Sequence, residues 1–371
     1  MRVLHVAEVL KGGMASYLDE VLSFQKASLG SNDRLAVIVP QSQIEDLTTA
    51  SRVKTYPFQD SGRRLAHFFA LFKLVRQIAE IEKPDVVHAH SSFAGAACRM
   101  AFAFQRKAPA IVYCAHGWAF DREGGRLKNK VLASVECLLS WWTDKIICIS
   151  EHDRQSGLRA GIADHKLLTV LNGIADIKLN AAASTVEWAD PDKLRVLFVG
   201  RFDRQKGVDV FFKAMEQLQD QCTAYAIGDA SLGDAALVAP PANVQLTGWL
   251  PRASVQAYLQ SCDVFVMPSR WEGFGLAALE AMRAGKLVVA SGVGGLLELV
   301  EHGRSGYLVP PNQPEALAQT IRTISKPLAH QFGTVARERF LRMFTAQQMN
   351  QSIVNVYAEI TGKPVAVVEC S

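Results

Sequence analysis

The sequence predicts an α/β protein made of two Rossmann-like domains, each a parallel sheet flanked by helices. Three observations carry this expectation. At 371 residues the chain is long for one hydrophobic core, so two domains are the natural division. Short uncharged apolar runs of strand length recur between longer segments with helical spacing, the alternation of a parallel α/β fold. Between Ala181 and Pro191 the segment AAASTVEWADP loses periodicity and closes on proline, as an inter-domain linker does. The expected division is residues 1–183 and 192–345, followed by a C-terminal helix and a flexible tail from Pro364 within 346–371.

In the first domain, Val3 to Val9 is the opening strand, and Lys11-Gly12-Gly13 turns into a helix carrying Tyr17, Leu18, Val21 and Leu22. The G-x-G-x-x-G spacing of a dinucleotide site is absent, which disfavours a nicotinamide or flavin enzyme. Leu35 to Val39 and Val53 to Tyr56 supply two more strands. From Arg63 to Ile81, Leu65, Phe68, Phe69, Phe72 and Val75 follow the i, i+3, i+4, i+7 rule, and Leu71, Leu74 and Ile78 widen the apolar face. Such breadth predicts a helix buried against a sheet, with Arg63, Arg64, Lys73 and Arg76 as a basic edge.

Asp85 to His90 (DVVHAH) and Ile111 to His116 (IVYCAH) are strands ending in histidine. Ligands of open α/β sheets bind beyond the carboxyl ends of strands, so His116, before Gly117, and His90, nearer the open end than His88, are candidate site residues. The alternative for each is a structural hydrogen bond. No carboxylate or cysteine stands at ligand-like spacing to them, so no metal site is expected. Asp121 to Lys130 is rich in Arg122, Arg126, Lys128 and Lys130, and leads into an apolar helix through Leu138, Trp141 and Trp142. That helix is either a core element with a solvated start or one that rests at a membrane interface. Lys145 to Ile149 is a further strand, and Thr169 to Leu171 leads to Asn172-Gly173.

The second domain opens with a strand at Leu194 to Val199, followed by GRFDRQKG. Arg201 and Lys206 stand in the loop before a helix beginning near Val208, where two cations suit an anionic diphosphate. Strands at Ala224 to Ile227, Val244 to Leu246, Leu287 to Ala290 and Gly306 to Val309 complete the sheet. The most informative stretch is Asp263 to Met282, DVFVMPSRWEGFGLAALEAM. Val264 to Met267 is a buried strand, Gly273 and Gly275 let the loop turn tightly, and a helix begins at Leu276, so the unit forms an anion site at a helix N-terminus. Glu272 and Glu280 bracket it. A carboxylate beside a phosphate repels it, so these two more plausibly accept hydrogen bonds from hydroxyls. The alternative is an ordinary strand-loop-helix unit with solvated glutamates.

The two glutamates set in PSRWEGFGLAALEAM, with G-R-x-x-x-x-K-G from Gly200 to Gly207, resemble the signature of the retaining glycosyltransferases of family 4. The resemblance is strong from Leu194 to Leu317 and diffuse over the first half. It implies the GT-B fold, two Rossmann-like domains facing an inter-domain cleft, with a nucleoside diphosphate sugar (a UDP-sugar) as co-substrate bound mainly by the second domain. It also implies that the C-terminal helix within 346–371 returns to the first domain. By the same resemblance Glu280 would hold ribose hydroxyls. Glu272 and the N–H groups of Phe274 and Gly275 would hold the donor sugar, and Leu276 and Ala277 would offer N–H groups to the diphosphate. Gly248, Trp249 and Leu250 would lie along the base, Gly13 near the diphosphate, His116 at the donor sugar and Asn172 on the cleft side. Ala277 and Leu297 stand where the family often has proline; neither change removes a donor group.

Composition bounds the remainder. A net charge of +4 is too small for a nucleic-acid binder, whose basicity is usually concentrated; local clusters matter more than the total. The seven cysteines, Cys98, Cys114, Cys137, Cys148, Cys222, Cys262 and Cys370, contain no C-x-x-C pair and fit a reduced, cytoplasmic protein. No signal peptide or transmembrane run is evident, so the expectation is a soluble protein able to sit on the cytoplasmic face of the inner membrane. The one D-x-D match, Asp190-Pro191-Asp192, lies in the linker, and Arg201, Lys206 and the helix N-terminus at Leu276 can stabilise a diphosphate leaving group without metal. The expected activity is retaining transfer of a sugar to a lipid-linked saccharide in capsule, exopolysaccharide or lipopolysaccharide assembly, with the basic clusters on an anionic membrane. A sugar-nucleotide epimerase, a transferase with a soluble acceptor and a non-catalytic glycan-binding protein are the alternatives.

Overall fold

The computed structural model describes residues 1–10, 12–28, 34–59, 64–122, 124–177, 186–230 and 239–363. Residues 181–185 of the expected linker, the tail from Pro364 and Arg63 lie outside the described residues. Contacts divide the chain into unit 1, residues 1–175 with 346–371, and unit 2, residues 176–345.

Unit 1 carries seven strands: β1 (Arg2–Ala7), β2 (Arg34–Pro40), β3 (Lys54–Phe58), β4 (Val86–His90), β5 (Ala110–Cys114), β6 (Lys145–Cys148) and β7 (Leu167–Thr169). They pair in parallel in the order β3-β2-β1-β4-β5-β6-β7. The central strands β1 and β4 have nearly every residue buried, as a sheet covered on both faces requires. The reversal of strand order between β1 and β4 opens a crevice beyond their carboxyl ends. Helices α1 (Gly13–Ser28), α2 (Arg64–Glu82), α3 (Ser92–Phe102), α4 (Arg126–Leu139) and α5 (Glu151–Arg159) connect the strands, and α12 (Ala346–Thr361) belongs to this unit, with Ala346 N–H donating to Ile174 O at 2.9 Å.

Three expectations need correction. β1 ends at Ala7, two residues before Val9, because Glu8 turns across to α3, accepting from the Ser91 hydroxyl and from Ala94 N–H at 2.9 Å. The apolar breadth of α2 is not all buried: Leu71, Val75 and Ile78 face the core at i, i+4, i+7, whereas Leu65 and Phe69 are exposed. Spacing alone overestimates a helix's buried face when the sheet beneath it covers only one stripe. α4 meets the core on one face only: Leu139 is buried and Leu132, Ala133 and Cys137 pack against the core, whereas Leu127, Val131, Val135 and Leu138 are exposed.

Unit 2 repeats the architecture with β8 (Leu194–Val199), β9 (Cys222–Ile227), β10 (Val244–Gly248), β11 (Val264–Met267), β12 (Leu287–Ser291) and β13 (Gly306–Val309). Its order, β10-β9-β8-β11-β12-β13, is that of a dinucleotide-type sheet, with the switch point between β8 and β11. Helices α6 (Val208–Glu216), α7 (Arg252–Ser261), α8 (Leu276–Arg283), α9 (Leu296–Leu299), α10 (Pro314–Arg322) and α11 (Lys326–Met343) pack around it. The core joins Val196, Phe198, Val264, Val266 and Val289 to Phe211, Phe212, Met215 and Leu317.

Candidate active site

In unit 2, three loops converge at the β8/β11 switch point. The β8–α6 loop carries Arg201 and Lys206, the β11–α8 loop carries Glu272, and the β12–α9 loop carries Gly294. Lys206 Nζ lies 2.6 Å from Glu272 Oε2, with both side chains only partly exposed. Arg201 is held within its own loop, 2.9 Å from Asp203 and donating to Gln205 Oε1 at 3.0 Å, and remains half exposed. The first two loops are stitched together: Arg270 N–H donates to Gln205 O at 2.8 Å, and the Gln205 amide donates to Trp271 O at 3.2 Å. The Arg270 guanidinium, largely buried, reaches both Asp209 oxygens at 2.8 and 2.7 Å and donates to Arg204 O and Asn312.

Two backbone approaches explain the glycines. Gly207 has φ +68, and a Cβ there would stand 2.2 Å from Pro268 O; Gly294 has φ +52, and a Cβ there would stand 1.8 Å from Glu272 O. Any L-residue would force the loops apart. Gly295 N–H also donates to Gly273 O at 3.2 Å, so the segment Glu272–Gly275 is fixed from both sides. Gly275, at φ +98, directly precedes α8, which has no side-chain cap. The first-turn N–H groups of an α-helix have no partners within it and carry the positive end of its dipole, so Leu276 and Ala277 present an anion site. Phe274 is buried, 5.9 Å from Phe344 between ring centroids, which leaves its backbone as the part able to meet a ligand. Glu280, one turn into α8, has Arg252 at 3.8 Å. Gly200 N–H donates to Ile227 O at 3.0 Å, and Gly228 N–H to Gly248 O at 3.1 Å. Gly248, at φ +70, leads to an exposed Trp249 and a half-buried Leu250 at the end of β10.

In unit 1 the strand-end histidines form one buried group. β1 and β4 set His5 beside His88 and Ala7 beside His90. His5 Nδ1 lies 2.9 Å from His90 Nε2, and His90 Nδ1 lies 3.1 Å from His116 Nε2. His5 Nε2 lies 2.9 Å from Gln25 Oε1, and His88 Nδ1 lies 2.6 Å from Tyr357 Oη. Burial pushes His5 down to about 4 and His116 to about 3, and holds His88 and His90 well below the usual imidazole range, so all four rings are neutral at pH 7. His116 itself has φ +54 and is half-buried, and Tyr17 packs edge-on against it at 4.5 Å between centroids. Asn172 is buried beyond β7, and Gly13, exposed, is the first residue of α1.

The structure thus pairs Lys206 with Glu272 in unit 2, with Arg201 on the loop of Lys206 and Gly275–Ala277 on the loop-helix unit of Glu272, and sets His90 against His116 in unit 1. Sequence reading missed Arg270 and Asp209, whose pairing is long-range, and missed His5, Gln25 and Tyr357. A single polar residue inside the apolar run VLHVA was the available signal for His5.

Residues 11–176 match the family described as Glycosyltransferase Family 4, and residues 193–326 match Glycosyl transferases group 1. A 41.2 kDa protein of the cps region of Klebsiella pneumoniae is 31% identical over 365 residues, 96% of this chain and 99% of that one. The UDP-Gal:alpha-D-GlcNAc-diphosphoundecaprenol alpha-1,3-galactosyltransferase of Escherichia coli is 24% identical over 310 residues, 78% of each chain. Among solved structures, Anabaena Alr3699/HepE in complex with UDP-glucose superposes with a TM-score of 0.80 at 21% identity, over 97% of this chain and 100% of that one. The sucrose-phosphate synthase of Thermosynechococcus elongatus gives 0.80 at 19% identity, over 98% and 99%.

Proposed function

The chain belongs to the family 4 glycosyltransferases of GT-B fold, and from that premise we propose that it moves a sugar, with retention of anomeric configuration, from a UDP-sugar to a lipid-linked saccharide in cell-surface polysaccharide assembly. The carrying observation is the fixed Lys206–Glu272 pair beside Arg201 and the N-terminus of α8. Unit 2 holds the donor and unit 1 the acceptor. Arg201, Lys206 and the N–H groups of Leu276 and Ala277 neutralise the diphosphate as it leaves, which removes the need for a divalent cation. Each charge-assisted contact is worth about 1.5–3 kcal/mol.

Glu272 sits against Lys206, so it serves to accept hydroxyls of the donor sugar and to orient the lysine, not as a nucleophile. Glu280 takes the ribose hydroxyls, the backbone at Gly248–Leu250 lies along the base, and His116 meets the donor sugar. The transition state is oxocarbenium-like, and the leaving phosphate assists attack from the same face. The capsule-region relative and the undecaprenol-linked substrate named for the Escherichia coli relative support a lipid-linked acceptor and a place on the cytoplasmic membrane face. Asn172 lies on the acceptor side, and Gly13 approaches the donor diphosphate.

The test is a panel of nucleoside diphosphate sugars, with polyprenyl-diphosphate saccharides as acceptors and a chelator present throughout. One UDP-sugar should give product, with an α-donor yielding an α-linkage by NMR. A β-linked product, product that appears only after magnesium or manganese is restored, or conversion of donor without acceptor would each contradict a named part of this reading; the last is the signature of an epimerase.

A further inference from the structure

A hydrogen-bonded chain of side chains runs from α12 to His116, and one distance sets its direction. Tyr357 Oη lies 2.6 Å from His88 Nδ1, short for an N–H donor and ordinary for an O–H donor, so the tyrosine donates to the ring. Its oxygen is then available to accept from Gln25 Nε2, 3.3 Å away. With its amino end turned to Tyr357, Gln25 points Oε1 at His5 Nε2, 2.9 Å away. An amide oxygen can only accept, so His5 carries its proton on Nε2 and accepts at Nδ1. His90 Nε2–H donates to that Nδ1 at 2.9 Å, and His116 Nε2–H donates to His90 Nδ1 at 3.1 Å.

We propose that Tyr357, Gln25, His5 and His90 are positioning residues that hold His116 in its Nε2–H tautomer, so that its Nδ1 lone pair is fixed as an acceptor for a substrate hydroxyl. The substrate half of this statement rests on His116 meeting the donor sugar; the tautomer is a property of the free protein. A neutral imidazole left to itself exchanges between two tautomers, and only one of them accepts at Nδ1. Burial keeps each ring neutral, as a one-directional chain requires, and successive donor–acceptor bonds polarise one another in the same sense. The chain has a cost: His88 Nε2 is buried and has no hydrogen-bond partner among the described residues. It also ties the imidazole on β5's loop to a helix that arrives last in the sequence, because Tyr357 is fully buried in unit 1.

His5, His88 and His90 also place nitrogens within 4.8 Å of one another. A transition-metal ion there would take the nitrogens that the chain uses, so the two arrangements exclude each other.

The experiment is long-range proton–nitrogen NMR on the full chain labelled with 15N-histidine, without substrate. The expected result is the Nε2–H pattern for His5, His90 and His116. Gln25→Leu should release His116 into a mixture of tautomers. If Gln25→Leu fails to fold, Tyr357→Phe removes the hydroxyl that orients Gln25 and should give the same mixture. An Nδ1–H pattern at His116 in the unaltered protein, a pattern indifferent to these variants, or one equivalent of tightly bound transition metal would overturn the proposal. In the transfer assay Gln25→Leu should lower kcat roughly three- to tenfold, the loss of one neutral hydrogen bond, with nucleoside diphosphate affinity unchanged. The predicted tautomer with an unchanged kcat would overturn the substrate half and place the error in the role given to His116.

Discussion

Glu272 shows how much a single side chain depends on residues that never touch a ligand. Its loop is held by Arg270, whose guanidinium bridges to Asp209, Arg204 O and Asn312. The Arg270 contact, which outweighs its burial, holds the Asp209 carboxyl below its ordinary range. A carboxylate with a depressed folded pKa contributes stability that is present above its unfolded value, near pH 4, and lost as pH falls through the lower folded value. Asp209→Asn should therefore cost about 1–2 kcal/mol at pH 7, less than a fully buried pair because the Asp209 side chain is 35% exposed, and less at pH 3 than at pH 7. Urea midpoints of both proteins at the two pH values measure this; an equal difference at both would show that the pair is not the source. Arg270→Ala should lose stability too and, by loosening Glu272, should also lower kcat/KM.

At the scale of elements, α4 is the anomaly. Its buried face is anchored by Glu136, which accepts from Arg99 of α3 at 2.8 Å and from Tyr113 at 3.1 Å. A second apolar stripe, Leu127, Val131, Val135 and Leu138, is exposed on the other face, and Trp141 and Phe104 are exposed as well. Arg122, Arg126, Lys128 and Lys130 are exposed on and just before the same helix. An apolar stripe with a basic start is the pattern of a helix lying in a membrane interface. Each cation near an anionic surface adds about 1 kcal/mol, and each buried Leu or Val about 1.5–3 kcal/mol. No described helix is long and apolar enough to cross a membrane. The protein should co-sediment with anionic vesicles at low salt, less at high salt, and at least tenfold less as the Leu127→Ser, Val131→Ser double variant, a change well inside that apolar contribution. Equal, negligible binding to anionic and neutral vesicles would favour a soluble acceptor.

For the whole molecule, the sheet strands were legible because parallel strands buried on both faces are continuous apolar runs closed by Gly, Pro or Ser. Val264–Met267 and Leu287–Ser291 are of that kind. The loops of the candidate site in unit 2 were legible because their chemistry is local: Arg201, Lys206, Glu272 and α8 lie within two short segments. What stayed hidden was whatever depends on pairs distant in sequence. His5 meets His90 across 85 residues and His88 meets Tyr357 across 269, and no spacing rule reaches so far. The orientation of α4 was hidden for a related reason, since a buried glutamate can be recognised only once Arg99 is seen beside it.

The central claim is that unit 2 binds a nucleoside diphosphate through Arg201, Lys206 and the N-terminus of α8. Calorimetric titration of UDP into the unaltered protein and into Arg201→Ala and Lys206→Ala tests it most directly. The account predicts binding weakened at least tenfold in each variant, as expected for loss of a charge-assisted contact of about 1.5–3 kcal/mol. UDP affinity unchanged in both variants, or no binding of any nucleoside diphosphate by the unaltered protein, would contradict it.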